Sequence, residues 1–277
     1  MLMRNRALTV ICGIALCALV SCSDYNKVLK TSDYGLKYEV AKQSYAEGEY
    51  NRASVLLREV IAMLKGTEDG EASLFLLGMS YFKAEDYEAA AEVFKKYYET
   101  YPRGIYAEEA RFHTGLSLYH NVPEPKLDQT ATYEALTEFQ NFLEEHPNSS
   151  YREEVQRLIF DLQDVLVEKE YLNAKMYYDL GTYFGNCTNG GNNFQACIVT
   201  AQNAISDYPY SSKRENFAIL ILKAKFELAA QSVLDKQEER YHNAIDEYYG
   251  FCNEYPESSF MPQAKELYEK AKRYVKN

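Results

Sequence analysis

The sequence predicts an all-α protein: a right-handed superhelix of about five helical hairpins, closed by a C-terminal capping helix. Three observations carry this. Beyond Lys30, apolar residues recur at 3.6-residue spacing in segments rich in Ala, Leu, Glu, Lys and Tyr, with few β-branched runs. The breaks between segments are alike: "TYPRGIY" ends at Tyr106, "EHPNSSY" at Tyr151, "DYPYSSK" at Lys213 and "EYPESSF" at Phe260. Counting back twelve and eight residues from each proline gives Ala90 and Phe94, Ala135 and Phe139, Cys197 and Ala201, and Ala244 and Tyr248. Small then large, one turn apart, lets a neighbouring helix approach closely and fills the gap beside it.

The chain opens differently. Arg4 and Arg6 form a short basic region, and Ala7 to Val20 is an apolar run. That is the shape of a secretory signal, too short to cross ~30 Å of hydrocarbon as a permanent helix. It stops at Leu19-Val20-Ser21-Cys22, which resembles the bacterial lipobox, cut before a cysteine that carries diacylglycerol. Residues 1–21 are therefore expected to leave as a lipoprotein signal peptide, and 22–33 to form a tether after lipidated Cys22. Acyl chains contribute ~0.8 kcal/mol per buried CH₂, which anchors a globular body without spanning the membrane.

Cleavage would remove two of the 30 basic residues and none of the 41 acidic ones, leaving 28 against 41. So acidic a body excludes nucleic acid as a partner, because phosphates need basic patches. It also argues against lying flat on anionic lipid. Cys12 and Cys17 leave with the signal, and Cys187, Cys197 and Cys252 remain. An exported chain can oxidise two of them: Cys187, in the loop "GNCTNGGNN", and Cys197 could close a small ring. The other reading makes Cys197 and Cys252 small buried apolar residues.

In the breaks, proline ends one helix, and small polar residues start the next. Ser150-x-x-Glu153 and Ser212-x-x-Glu215 read as capping boxes. The first helices carry their own pattern, Leu74, Leu77, Gly78, Tyr81 in one copy and Tyr177, Leu180, Gly181, Phe184 in another. A large residue, Leu-Gly, an aromatic, then Ala, aromatic and Pro resembles the tetratricopeptide repeat, and residues 71–104 match nearly every signature position. In that repeat two helices cross where the Gly and Ala sit. Repeats 1–3 occupy 34–147, near 34–67, 71–104 and 108–147, the third with the insertion "NVPEPKLDQ". Repeats 4–5 occupy 148–256 and include an extended helix before 171. Residues 257–277 form the capping helix. Stacked repeats share one continuous core.

Catalytic constellations are missing. His113 and His120 stand seven apart on one helix, about 10 Å by helix rise, too far for joint metal ligation, and no Cys or carboxylate spacing completes a zinc set. His146 takes a packing slot and His242 has no evident partner. "GNCTNGGNNF" lacks the Lys-Ser/Thr of a phosphate loop. No enzyme activity, metal or cofactor is expected. One constellation remains: Tyr38, Phe75 and Phe112 coincide at a 37-residue period, as do Tyr45, Phe82 and Tyr119, each pair seven apart on one helix side. Tyr178 continues the first series. These rings either line a peptide groove or fill the core between repeats. An exposed aromatic groove is costly unless a partner covers it.

A lipobox followed by five such repeats resembles the BamD family of lipoproteins of the outer-membrane β-barrel assembly machine. The most specific part is "HPNSSYREEVQRLIFDLQDVLVEKEYLNAKMYYDLGTYF", with Glu170, Tyr171, Ala174, Tyr177 and Tyr178. The resemblance implies a scaffold anchored to the outer membrane by its lipid, on the periplasmic face. It would bind the periplasmic domains of a BamA-like barrel protein through its later repeats and unfolded outer membrane proteins, ending in an aromatic residue, through its early ones. The alternative is another tetratricopeptide envelope lipoprotein, a cell-envelope coordinator or a SusD-like glycan-binding partner. SusD-like chains are about twice as long and usually carry Trp, of which this chain has none.

Overall fold

The computed structural model describes residues 25–183 and 192–276. The expected lipidation site Cys22 and the bridge partner Cys187 lie outside them. Among the described residues every regular element is helical: α1 (residues 25–30), α2 (Tyr34–Ala46), α3 (Tyr50–Met63), α4 (Glu68–Lys83), α5 (Tyr87–Thr100), α6 (Ala107–His120), α7 (Thr130–Glu145), α8 (Arg152–Leu180), α9 (Asn193–Asp207), α10 (Arg214–Ala230), α11 (Leu234–Glu254) and α12 (Met261–Ala271), with a 3₁₀ turn at Lys272–Tyr274. No described helix is long and apolar enough to cross a membrane. The chain forms two compact units, one reaching Val122 and including Thr130–Ile159, the other made of Pro123–Gln129 and everything from Phe160. The division between the units falls inside α8, and residues 123–129 of the insertion join the second unit, where Lys169 donates to the Leu127 carbonyl at 2.7 Å.

In the first unit each helix from α2 to α7 packs on the next, and α2, α4 and α6 also touch in succession. The small positions make this possible. A Cβ on Gly78 would stand 2.6 Å from the Phe94 ring, and one on Gly115 only 2.5 Å from Phe139. Neither distance is tolerable for carbon, so the aromatic ring of the second helix occupies the space a side chain would fill. Repeat 1 uses Ala41 against Leu57 at the same places, both fully buried. α1 differs from the expected tether: Tyr25, Val28 and Leu29 pack against the core of repeat 1, and Lys37 Nζ donates to the Leu29 carbonyl at 3.1 Å. Apolar side chains at this spacing dock because their burial outweighs leaving them in water.

The second unit keeps the plan with a corrected register. Gly181 lies past the end of α8 at φ +50°, so it terminates the helix and is not the crossing residue. Ala174, fully buried in the cluster with Cys197 and Ala201, takes that role. Tyr178 packs edge-to-face on Phe194 at 5.8 Å, as Phe82 packs on Tyr87 at 5.4 Å. Tyr178 therefore continues the Tyr45 series, and Tyr171 the Tyr38 series. In repeat 5 a buried Leu222 fills the glycine position, and Tyr248 stacks outward on Tyr268 at 4.4 Å. Ala264 and Ala271 bury the inner face of α12.

The capping boxes are not formed as expected. The residue before α10 is Lys213, without a side-chain cap, and Ser211 Oγ accepts from its N–H at 3.1 Å. Ser149 does the same for Tyr151 at 3.0 Å. Glu215 instead accepts from Ser258, just as Glu108 accepts from Ser149 at 2.6 Å. Glu71 accepts from the Tyr97 hydroxyl and from Ile105 N–H at 3.0 Å. A first-turn glutamate of one hairpin thus holds the turn that closes the same hairpin.

Candidate functional site

The aromatic series divide by burial. Tyr38, Phe75 and Phe112 are 6%, 9% and 4% exposed, whereas Tyr45, Phe82 and Tyr119 are half-buried. The buried rings owe their cover to the last residue of each break. Phe75 stacks on Tyr106 at 4.4 Å and 10°, and Phe112 on Tyr151 at 4.2 Å and 10°. Lys213 lies 5.0 Å over the Tyr171 ring, and Phe260 packs against the cluster that holds Ile219. Repeat 1 has no closing proline and no such aromatic. Tyr38 accordingly has no ring partner among the described residues. What stands over it is the Lys42 ammonium, 4.6 Å from the ring centre.

That omission leaves an opening. Between α2 and α4 lies a cleft of about 410 Å³, walled by Tyr38, Tyr45 and Phe75, with Leu76, Met79 and Tyr106 completing the apolar lining. Lys42 is its one charged lining residue, tied to Glu39 at 2.6 Å. Burial raises the phenols of Tyr38 and Tyr45 above the usual tyrosine range, so both remain neutral hydrogen-bonding groups at physiological pH. The arrangement can receive an apolar or aromatic side chain beside a negative group, and it holds no nucleophile paired with a base.

Three of the six ladder residues therefore meet in one cleft, and three do not. Phe112 is core beside Phe142. Phe82 is enclosed by Tyr87, His113 and His120, and Tyr119 leans on His120 at 5.8 Å. Burial pulls His113 down to about 4, which makes it a neutral packing group. No cluster able to hold a metal occurs among the described residues. Cys197 is a fully buried thiol, raised to about 12 by burial, while its expected partner Cys187 falls outside the described residues. Sequence reasoning missed Lys42 and Tyr106. The signal for Tyr106 was present, since three of the four quoted breaks end on the residue that covers a ring.

Comparison with known proteins adds the family. The profile of the YfiO family, described as "Outer membrane lipoprotein", matches residues 35–189. A curated relative, outer membrane protein assembly factor BamD of Caulobacter vibrioides, is 23% identical over 146 residues, 53% of this chain and 48% of that protein. The match thus spans about half the relative's length. Among solved structures, one described as "TPR2AB-domain:pHSP90-complex of yeast Sti1" aligns at a TM-score of 0.41 and 12% identity, covering 87% of this chain and 99% of that one.

Proposed function

We propose a function from one premise: the chain belongs to the YfiO family of outer membrane lipoproteins, the family of BamD, whose profile covers more than half of it. On this reading the protein is a non-catalytic scaffold for β-barrel assembly, held on the periplasmic face of the outer membrane by lipid at Cys22. Its early repeats receive unfolded outer membrane proteins and its later repeats bind the periplasmic domains of a BamA-like barrel protein.

The observation that carries the reading is the aromatic cleft with its single ammonium. A chain ending in an aromatic residue presents a ring and a carboxylate together. The ring enters between Tyr38, Tyr45 and Phe75, and the carboxylate meets Lys42 at the mouth. Aromatic walls supply contact area with little side-chain entropy to lose. Because α1 is docked on repeat 1, only two residues separate Cys22 from Tyr25, and the three peptide steps between them reach no more than about 11 Å. The anchor would thereby hold the cleft-bearing repeats close to the bilayer.

Two measurements test this. Affinity purification of the membrane-extracted protein with mass spectrometry should recover a large β-barrel protein bearing periplasmic domains, and recovery of none removes the scaffold reading. Peptides ending in Phe with a free carboxylate should bind more tightly than their amides, with Lys42→Ala erasing a difference of about threefold at unchanged melting temperature. Equal binding of the two peptides takes Lys42 out of the reading, and absence of binding by both takes out the cleft. Phe75 is a poor probe, because truncating so buried a ring costs about 3–5 kcal/mol of stability.

A further inference from the structure

A second opening, in the other unit, carries a different chemistry. Phe160, Asp164 and Val167 stand at i, i+4 and i+7, on one face of α8. Opposite them lie Asp207, the last residue of α9, and Tyr208 and Tyr210 of the proline turn that follows. Together they enclose about 300 Å³. Phe160 is 63% exposed and Tyr210 96% exposed, which is unusual for two rings flanking one pocket. Neither carboxylate forms an ion pair with a described Lys, Arg or His, although Glu168, one turn along α8 from Asp164, is paired with Lys213.

That neighbouring pair shows what the opening lacks. There the chain supplies its own cation: Lys213 sits between the Glu168 carboxylate and the face of Tyr171, 5.0 Å from the ring centre. The Phe160 pocket repeats the components, carboxylates beside rings, with no cation paired to them among the described residues. Ring faces attract cations through their quadrupole. The C-terminal end of α9 adds the negative pole of its helix dipole at Asp207. A guanidinium suits the site better than an ammonium, because it is planar, weakly hydrated and stacks on aromatic faces while engaging a carboxylate. Its apolar stem can lie along Val167 and Phe160, and the volume admits one long side chain. The acidic whole, with 41 carboxylates against 30 basic residues, would steer such a partner toward it.

We infer that the pocket between α8 and the turn after α9 is a receptor for an arginine side chain presented by a partner protein. This goes beyond the aromatic cleft, which selects a ring and a carboxylate and lies in the other unit.

The test uses the full mature protein in detergent, titrated with acetyl-Ala-Arg-Ala-amide and with the same peptide carrying citrulline, a neutral isostere. Amide NMR signals of Asp207, Tyr208, Tyr210 and Ser211 should shift saturably with the arginine peptide and about tenfold more weakly with citrulline. Asp164→Asn combined with Asp207→Asn should remove that preference while the circular dichroism spectrum stays unchanged, since both residues are on the surface. Phe160→Ala should weaken both peptides. Equal affinity for arginine and citrulline overturns the inference. So does an arginine response that the paired asparagines leave intact, or no response at 207–211 at all. Loss of the cleft peptide's binding leaves this result unaffected, so the two readings fail separately.

Discussion

Gly115 shows how one position can set a helix crossing. A methyl there would gain up to ~1 kcal/mol of helix propensity, yet it would stand 2.5 Å from a Phe139 ring that is fully buried and has nowhere to retreat. Close approach therefore outweighs propensity. His113, two residues earlier, is a residue whose charge the packing decides. It stacks on Phe94 at 5.2 Å, its Nδ1 is buried without a hydrogen-bond partner, and burial, helped by Lys83, pulls it down to about 4. The unfolded chain holds the same imidazole near ~6.5. Between those values the unfolded state binds a proton that the folded state refuses. Stability is therefore full above about 6.5 and falls as pH drops toward 4, by at most ~1.4 kcal/mol per unit. His113→Phe should flatten that slope, read as the urea midpoint between pH 7 and 5. Parallel losses in both proteins would contradict a neutral buried imidazole.

At the scale of the element, the hairpins α4–α5 and α6–α7 are each closed by two devices working on the same turn. One is the terminal residue of the break, resting on a first-helix ring, as Tyr106 rests on Phe75. The other is the first-turn glutamate one helical turn before that ring, Glu71 or Glu108; Glu215 makes the same bond one turn before Ile219. The glutamates were legible as helix N-terminal acids, which favour that end of the dipole, but their long-range partners were not. Glu71→Ala should cost about 1–3 kcal/mol, because it leaves the Tyr97 hydroxyl and the Ile105 amide short of an acceptor, while Glu71→Gln keeps an acceptor oxygen and recovers part of the loss. Thermal unfolding of the three proteins separates the cases. If alanine and glutamine variants both melt like the parent, the latch contributes nothing.

For the whole molecule, the decisive feature is the proposed combination of a lipid at one end with a non-catalytic binding body. Substituting Cys22→Ser should move the protein out of the outer-membrane fraction, since no described helix can hold it in a bilayer and its acidic surface gains nothing from anionic lipid. Depletion of the chain should lower the levels of outer-membrane barrel proteins. Retention of the serine variant in the membrane would point to attachment through a partner, and unchanged barrel levels would remove the assembly role.

Local rules sufficed for the hairpins. Helical periodicity and proline breaks act within one or two turns of chain, so the succession of helices and the small crossing positions of repeats 1 to 3 could be read in order along the sequence. The register of repeat 4 could not, because Gly181 and Ala174 both suit a close crossing, and which of them is used depends on where α8 ends against α9. The same holds for the aromatic ladder. Seven-residue spacing places rings on one side of a helix, but whether a ring is wall or core depends on what arrives to cover it. Tyr106 and Tyr151 come from 31 and 39 residues away to stack on Phe75 and Phe112, and nothing comparable reaches Tyr38. The cleft exists where that long-range contact is missing, and only the packed chain decides such a contact.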